Sequence, residues 1–440
     1  MPLPTQPYKG ARDFYPEDKR LQKYMFAAMR EVAESFGYEE YDAPILEPTD
    51  LFLAKGNEEI INDQTYTFQD RGERSVTIRT EMTPSVSRMV AGRRQELAYP
   101  LRWYSIPNCW RYERTQRGRL REFWQLNVDI FGVDNISAEV EMIQVSDGIL
   151  RKLGAKPNMY TIKLNSRMLV NYIFGEYLGL DEVQTASLVR LVDRMHKTEQ
   201  ATFEAQADAI FTIEQRESGR VQQLMDVLKI KTLGELQGHL ATHPSVMALR
   251  TLIDTLAELK ITNVEFDITL MRGFDYYTDI VFEVFDTNPE NNRSMFGGGR
   301  YDGLVAQFGV DPVPTVGFGM GDVTLQNFLE SHKLLPTFHT ETDAYVVLLG
   351  PVYERTAPIL AKWRNMGLNV AVDTTGRKID KQLKTAVKKG IRYAIIIGEQ
   401  ELSSEQYKLK DLQTGQEEAH SADRLVGLAK DHRIHDPELD

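Results

Sequence analysis

Cysteine is almost absent, with Cys109 the single one in 440 residues. That excludes an intrachain disulfide and fits a reducing compartment, in which Cys109 reads as a buried small hydrophobe rather than a nucleophile. No apolar run reaches the ~18 to 20 residues a membrane helix needs, and the opening MPLPTQPYKGARDF lacks the apolar stretch of a signal peptide. The expectation is a cytoplasmic protein with no membrane segment. Eight scattered histidines and one cysteine offer no zinc-ligand spacing, so no protein-held metal is expected. Positive charge is also in deficit: 52 Lys and Arg against 64 Asp and Glu leave a net charge of -12. A uniform nucleic-acid-binding coat is thereby disfavoured, although a global sum hides local patches.

What is present is an ordinary globular composition, 42% hydrophobic and 26% charged. The length suits about three domains of ~150 residues, or one large catalytic domain with a smaller one. Two basic islands interrupt the acidic chain. Gly92 to Glu122 holds eight arginines and three glutamates, and Glu341 to Lys410 holds 12 Lys and Arg against 8 Asp and Glu. They read either as two polyanion contacts or as solvated faces.

Apolar spacing of three and four predicts a helix over Arg20 to Phe36, stopped by Gly37. Strand-like segments follow at Tyr41 to Leu46, Tyr66 to Phe68, Val76 to Arg79, Leu101 to Tyr112 and Glu122 to Phe131, pointing to an antiparallel sheet. Residues 181–255 read as an inserted helical module, after which strands resume at Val264 to Leu270 and Tyr276 to Phe285. Leu334 to Asp343 reads as a linker. Beyond it, alternating strand and helix patterns predict a small α/β domain with a largely parallel sheet, fraying from about Ala429.

Four segments carry candidate chemistry. In REFWQLNVDIFG, Trp124, Leu126, Val128 and Ile130 share one strand face, while Gln125, Asn127 and Asp129 make a polar row on the other, facing water or a ligand. RYERTQRGR puts Arg111 and Glu113 on one strand face, turns at Gly118 and returns with Arg119 and Arg121, a guanidinium density suited to phosphate oxygens. VTIRTEMTPS ends a strand with Thr77, Arg79 and Glu81, and Thr83 before Pro84 reads as a helix N-cap, a binding group or both. LMRGFDYYTDIVFEV sets Arg272 beside Gly273 and two tyrosines. FGGGRYDGL is a glycine bulge or a phosphate loop.

Taken together, these segments resemble the histidyl-tRNA synthetases of class II over nearly the whole chain, from KGARDFYP onward. Pro44 in YDAPILEPTDLF is similar to the proline of the first class motif, and RYERTQRGRLREFWQ to the second. MRGFDYYT and GGGRYDGL resemble the two histidine-specific signatures, and VDTTGRKIDKQLKTAVKKG an anticodon-binding domain. The resemblance implies an α+β fold: a class II antiparallel sheet flanked by helices over residues 1–335, with the insertion at about 181–255, and an α/β anticodon-binding domain over 343–428. It implies ATP-dependent activation of histidine and transfer to the 3′ end of histidine tRNA, with ATP and Mg2+ as cofactors and a homodimer formed through the first motif.

For the site, the resemblance implies that Glu81 and Thr83 hold the α-ammonium and that Gln125 sits beside the carboxylate. Asp129 and Tyr277 read the ring nitrogens, with Tyr276 and Tyr301 also in the histidine site. It places Arg111 on the α-phosphate, and Glu113, Arg119, Arg121 and Phe123 around the rest of ATP. Arg272 stabilises the charge that develops during attack. The third class motif departs from its pattern: where a Gly-x-Glu-Arg run is usual, the chain has Gly321, Asp322, Val323 and Thr324. Either Arg119, Arg121 and magnesium compensate for the missing arginine, or activation is impaired. Asp279, where the family more often has glycine, is a smaller departure. A regulatory protein of histidine biosynthesis that binds histidine without aminoacylation is the alternative, set against the presence of the C-terminal domain.

Overall fold

A computed structural model describes residues 2–53, 64–271, 276–291 and 293–431. The chain forms two compact units, Met1–Leu335 and Pro336–Asp440. In the first, a nine-stranded sheet runs in the order β1-β5-β7-β12-β11-β10-β8-β9, with β6 paired to β7 off this path. These strands are β1 (Glu39–Glu40), β5 (Leu101–Ser105), β6 (Asn108–Trp110), β7 (Glu122–Phe131), β8 (Tyr160–Ser166), β9 (Val264–Phe266), β10 (Ile280–Asp286), β11 (Ser294–Arg300) and β12 (Thr315–Gly321). The pairings are antiparallel except β1 with β5 and β8 with β9. A separate three-stranded sheet holds β2 (Leu46–Pro48), β3 (Tyr66–Gln69) and β4 (Ser75–Ile78).

One face of the large sheet is apolar because alternate residues of a strand share a face. Leu126, Val128 and Ile130 of β7 and Val316, Phe318 and Met320 of β12 pack in one cluster with Met25, Met29 and Ala33 of helix Pro16–Ser35 and Met142, Ile143 and Ile149 of helix Ser137–Lys152. Helices then dominate 181–258, ending with Pro244–Glu258, and their buried leucines join the same core. Among the described residues no helix is long and apolar enough to cross a membrane.

Several expected boundaries shift for local reasons. The strand expected over Tyr41 to Leu46 gives way to an irregular stretch between β1 and β2, because Pro44 has no N–H and the carbonyls of Ala43 and Ile45 go to Arg79 instead of a ladder. The strand expected over Leu101 to Tyr112 is broken by Pro107, whose carbonyl accepts from the Gln125 amide. FGGGR is neither a bulge nor a loop. Gly297, Gly298 and Gly299 lie inside β11 in regular register with β10 and β12.

β11 ends on Arg300, and this residue anchors it. Its guanidinium is buried and donates to both oxygens of Glu139, at 2.6 and 2.8 Å, and to the carbonyls of Val133 and Asn135. Removing one partner of such a pair strands a buried charge. Arg300→Ala is therefore expected to cost about 3 to 5 kcal/mol, read as a fall in the urea midpoint. A loss below about 1 kcal/mol would show that the pair is idle.

The second unit has its own five-stranded sheet in the order β14-β13-β15-β16-β17: β13 (Ala344–Leu348), β14 (Val370–Val372), β15 (Tyr393–Ile397), β16 (Tyr407–Asp411) and β17 (Glu417–His420). Only β14, β13 and β15 are parallel, while β16 and β17 form an antiparallel hairpin, so the sheet is less parallel than expected. Trp363 is fully buried in its core. The last helix runs Ala422–Asp431 with Ala429 buried, and the residues after it, on which most of the expected fraying falls, lie outside the described residues.

Candidate active site

The polar row of β7 does not face water. Asn127 and Asp129 are buried, and with Gln125 they line a cavity of about 370 Å³, counting its open mouth. The remaining wall is Glu81, Thr83, Arg111, Tyr276, Tyr277, Tyr301, Phe318, and the glycines 297, 317 and 319. Segments far apart in sequence meet here because β7, β12, β11 and β10 are neighbours in the sheet.

Two of those glycines are required by the row itself. In the β7–β12 register Gly317 stands opposite Asp129, and Gly319 stands opposite Asn127 and diagonal to Gln125. A Cβ at Gly317 would collide with Oδ1 of Asp129, and one at Gly319 with Nε2 of Gln125. Asp129 thus lies across its own partner and Gln125 across the diagonal glycine, in space that only glycine leaves open. The alternation of glycine in GFGMG is the sequence signal that could have found this platform; Asn127 lines the cavity as its place in the polar row allows, and Phe318 is a further lining residue that no motif marked.

Asp129 is the electrostatic centre. One oxygen accepts from the Tyr301 hydroxyl, while Oδ2 is buried without a hydrogen-bond partner among the described residues. Burial pushes the carboxyl up to about 7, and the Tyr301 hydrogen bond only partly opposes this. The Tyr301 phenol is raised well above its ordinary value, first by burial and then by Asp129. The rings of Tyr276 and Tyr277 lie 4.9 Å apart, and the Tyr276 hydroxyl donates to Glu81 at 3.4 Å.

Thr83 opens helix Thr83–Gly92, but the N-cap is Met82 and no side chain caps it, so the capping reading of Thr83 does not hold. Arg111 donates to the Thr80 carbonyl at 3.0 Å and lies 5.4 Å from the Phe123 ring centroid. Glu113, Arg119, Arg121 and Phe123 are not part of the cavity lining. Arg119 pairs with Glu113 at 3.3 Å, while Arg121 lies 3.9 Å from the Tyr112 ring centroid and donates to the Tyr8 hydroxyl. Arg111 and Glu113 follow the end of β6 rather than sharing a strand, and the turn does fall at Gly118, whose φ is +78°. Arg272 lies outside the described residues. Cys109 is fully buried, and burial pushes its thiol up to about 12, as an inert side chain requires.

The departures have structural partners. Asp322 is buried, accepts from Arg12 at 2.6 Å and from the Trp124 amide at 2.9 Å, and its carboxyl is raised by burial. Arg12 also lies over the Trp124 ring, on the β7 face opposite Gln125 and Asp129, so it does not reach the cavity in place of the missing arginine. Thr324 turns back to the carbonyls of Met295 and Gly321. Asp279 accepts from the Ser166 hydroxyl at 2.6 Å, tying the start of β10 to the end of β8.

A family model described as histidyl-tRNA synthetase matches residues 10–323, and one described as anticodon binding domain matches 343–432. Similar curated proteins include the histidine–tRNA ligase of Leptospira biflexa, 39% identical over 93% of this chain and 94% of that protein. That of Thermoplasma volcanium is 38% identical over 95% and 96%. Among solved structures, the histidyl-tRNA synthetase of Nostoc sp. PCC 7120 superposes with a TM-score of 0.82 at 25% identity, covering 98% of this chain and all of that one.

Proposed function

The chain belongs to the histidyl-tRNA synthetase family and its activity is histidine–tRNA ligation; from this we propose that the cavity on β7, β12 and β11 is where histidine and ATP react. The regulatory alternative is not favoured, since the similar ligases span the C-terminal unit as well.

One observation carries the reading of the site: a buried carboxylate, Asp129, with hydrogen-bonding capacity to spare, lines the same cavity as the Tyr277 phenol. A neutral imidazole has one donor and one acceptor, which a carboxylate and a phenol can satisfy respectively. Glu81 and Thr83 take the substrate's α-ammonium, and Gln125 lies beside its carboxylate. Tyr276 holds Glu81 in place, and Tyr301 holds Asp129. A carboxylate oxygen of histidine attacks the α-phosphorus of ATP, the bond to the bridging oxygen breaks, and pyrophosphate leaves. The terminal adenosine hydroxyl of the tRNA then attacks the acyl carbon and AMP departs. Positioning and electrostatic stabilisation supply the rate. Arg111 steadies the α-phosphate and Arg272 the charge that develops on it. Phe123 offers a face to adenine, and Glu113, Arg119 and Arg121 surround the nucleotide as the second motif closes over it. Mg2+ would come with ATP, whose phosphate oxygens are its usual ligands, and would offset their negative charge. The second unit takes the anticodon, the Pro44 segment forms a homodimer, and the protein works in the cytoplasm.

Labelled pyrophosphate is expected to exchange into ATP only when histidine is present. Exchange that ignores histidine, or none at all, would contradict the proposal.

A further inference from the structure

Three buried oxygens belong to one patch and make no well-formed hydrogen bond among the described residues: Oδ2 of Asp129, Oγ of Ser105 and Oη of Tyr41. The β5–β7 register pairs Trp103 with Asp129 and Ser105 with Asn127, so Ser105 shares the face of Asp129 and stands diagonal to it. Tyr41 follows β1. Its amide donates to the Tyr104 carbonyl at 2.9 Å and its ring lies 5.6 Å from that of Trp103, which lays the phenol over β5. The electrostatics agree with this placement. The Tyr41 phenol is raised by burial first and next by Asp129, and weak hydrogen bonding with the neighbouring Ser105 hydroxyl lowers it.

Burying an unmet polar group costs about 1 to 3 kcal/mol, so three together are not a packing accident. Two hydroxyls can donate and one carboxylate oxygen can accept. Neither Tyr41 nor Ser105 lines the open cavity, so they approach Asp129 from behind while the substrate approaches from the front. The other titratable or charged groups near the carboxylate are Tyr301, Tyr276, Tyr277, Tyr38, Glu81 and Arg111, and none of them donates to Oδ2.

We propose that Tyr41 and Ser105 are positioning residues for histidine recognition: their hydroxyls stand behind Oδ2 and turn to it when Asp129 ionises, so that Asp129 presents an anionic acceptor to the ring N–H of the substrate. The proposal deepens the reading of Asp129 above and rests on it. Without a rear donor the carboxylate is less stabilised as an anion and holds its proton to higher pH.

The test is the pH profile of kcat/KM for histidine in pyrophosphate exchange, for the full chain and for Tyr41→Phe and Ser105→Ala. The unaltered protein is expected to lose activity as pH falls through about 7. In Tyr41→Phe that acid limb moves up by about half to one pH unit, the two profiles converge above about pH 8.5, and KM for ATP is unchanged. Substrate titration is common to all three proteins and cancels in the comparison. If Tyr41→Phe lowers the thermal midpoint, Ser105→Ala, which deletes one atom, carries the same test. A limb that stays put in both variants overturns the proposal, as does an equal loss at every pH, which would mean packing alone. A normal enzyme with an unmoved limb sinks this inference only, whereas a chain without histidine-dependent exchange sinks the reading beneath it.

Discussion

Asp129→Asn is expected to lower kcat/KM for histidine by about a thousand-fold or more while making the protein more stable at pH 8. The loss follows from chemistry at the cavity floor. A site built to hydrogen-bond a polar group rejects ligands by about 10⁴ when that bond cannot form, because buried groups are left unpaired. Asparagine can still accept from Tyr301, but it offers an NH2 in place of the second acceptor. The gain in stability follows from the carboxyl being raised from 3.8 to about 7. Between those values the folded state binds a proton that the unfolded chain releases, so stability falls as pH rises through this window and the full penalty is present above it. Asparagine does not ionise and escapes that penalty, on the order of 2 to 4 kcal/mol at pH 8. Denaturation at pH 8 and pH 5 checks this: the advantage of the variant should shrink on acidification. An equal difference at both pH values would mean that Asp129 is not ionising at the cost its burial implies.

This conflict between stability and function explains why the site was partly readable in the sequence. A strand with Gln125, Asn127 and Asp129 on one face and four apolar residues on the other announces a half-polar surface, and period-two alternation is local enough to see. Alternation does not say whether the polar face meets water or an enclosed cavity. That depends on β12 beside it and on Glu81, Tyr276 and Tyr301 arriving from elsewhere. Glu81 and Tyr276 are 195 residues apart, and Arg12 and Asp322 are 310 apart. Pairings of that kind leave no periodic trace. Arg12 in KGARDFYP and Asp322 in the altered third motif each look like an isolated departure until the fold joins them. Boundaries failed for the opposite reason. Pro44 and Pro107 sit inside segments whose other residues read as strand, although a missing N–H breaks a strand whatever its neighbours are. The helix Ser137–Lys152 and strand β8 carry no motif, yet they supply one layer of the core and the strand that joins β9 to β10 in the sheet.

Gly317→Ala should cost about 10² to 10³ in kcat/KM for histidine and about 1 to 3 kcal/mol of stability, although it adds one methyl group to a strand. In an antiparallel pair, directly opposed residues on one face have Cβ atoms only about 5 Å apart. Asp129 does not stand up from the sheet; it bends over the bare backbone of its partner. An added Cβ at Gly317 meets Oδ1 of Asp129 and comes within 2.8 Å of the Val128 carbonyl, which cannot move without breaking the ladder. The carboxylate must therefore rotate, and rotation takes it from Tyr301 and from its line to the substrate. Gly319→Ala drives Gln125 aside in the same way. Gly303, in the GGGRYDGL signature, is the control: a Cβ there meets nothing within 4 Å, so Gly303→Ala should leave both quantities within about 0.5 kcal/mol of the parent. Exchange kinetics with histidine varied and ATP saturating separates the cases. Gly317→Ala retaining activity within about three-fold would mean that Asp129 can be lifted off the sheet without harm, and that its placement across Gly317 is not what selects the substrate.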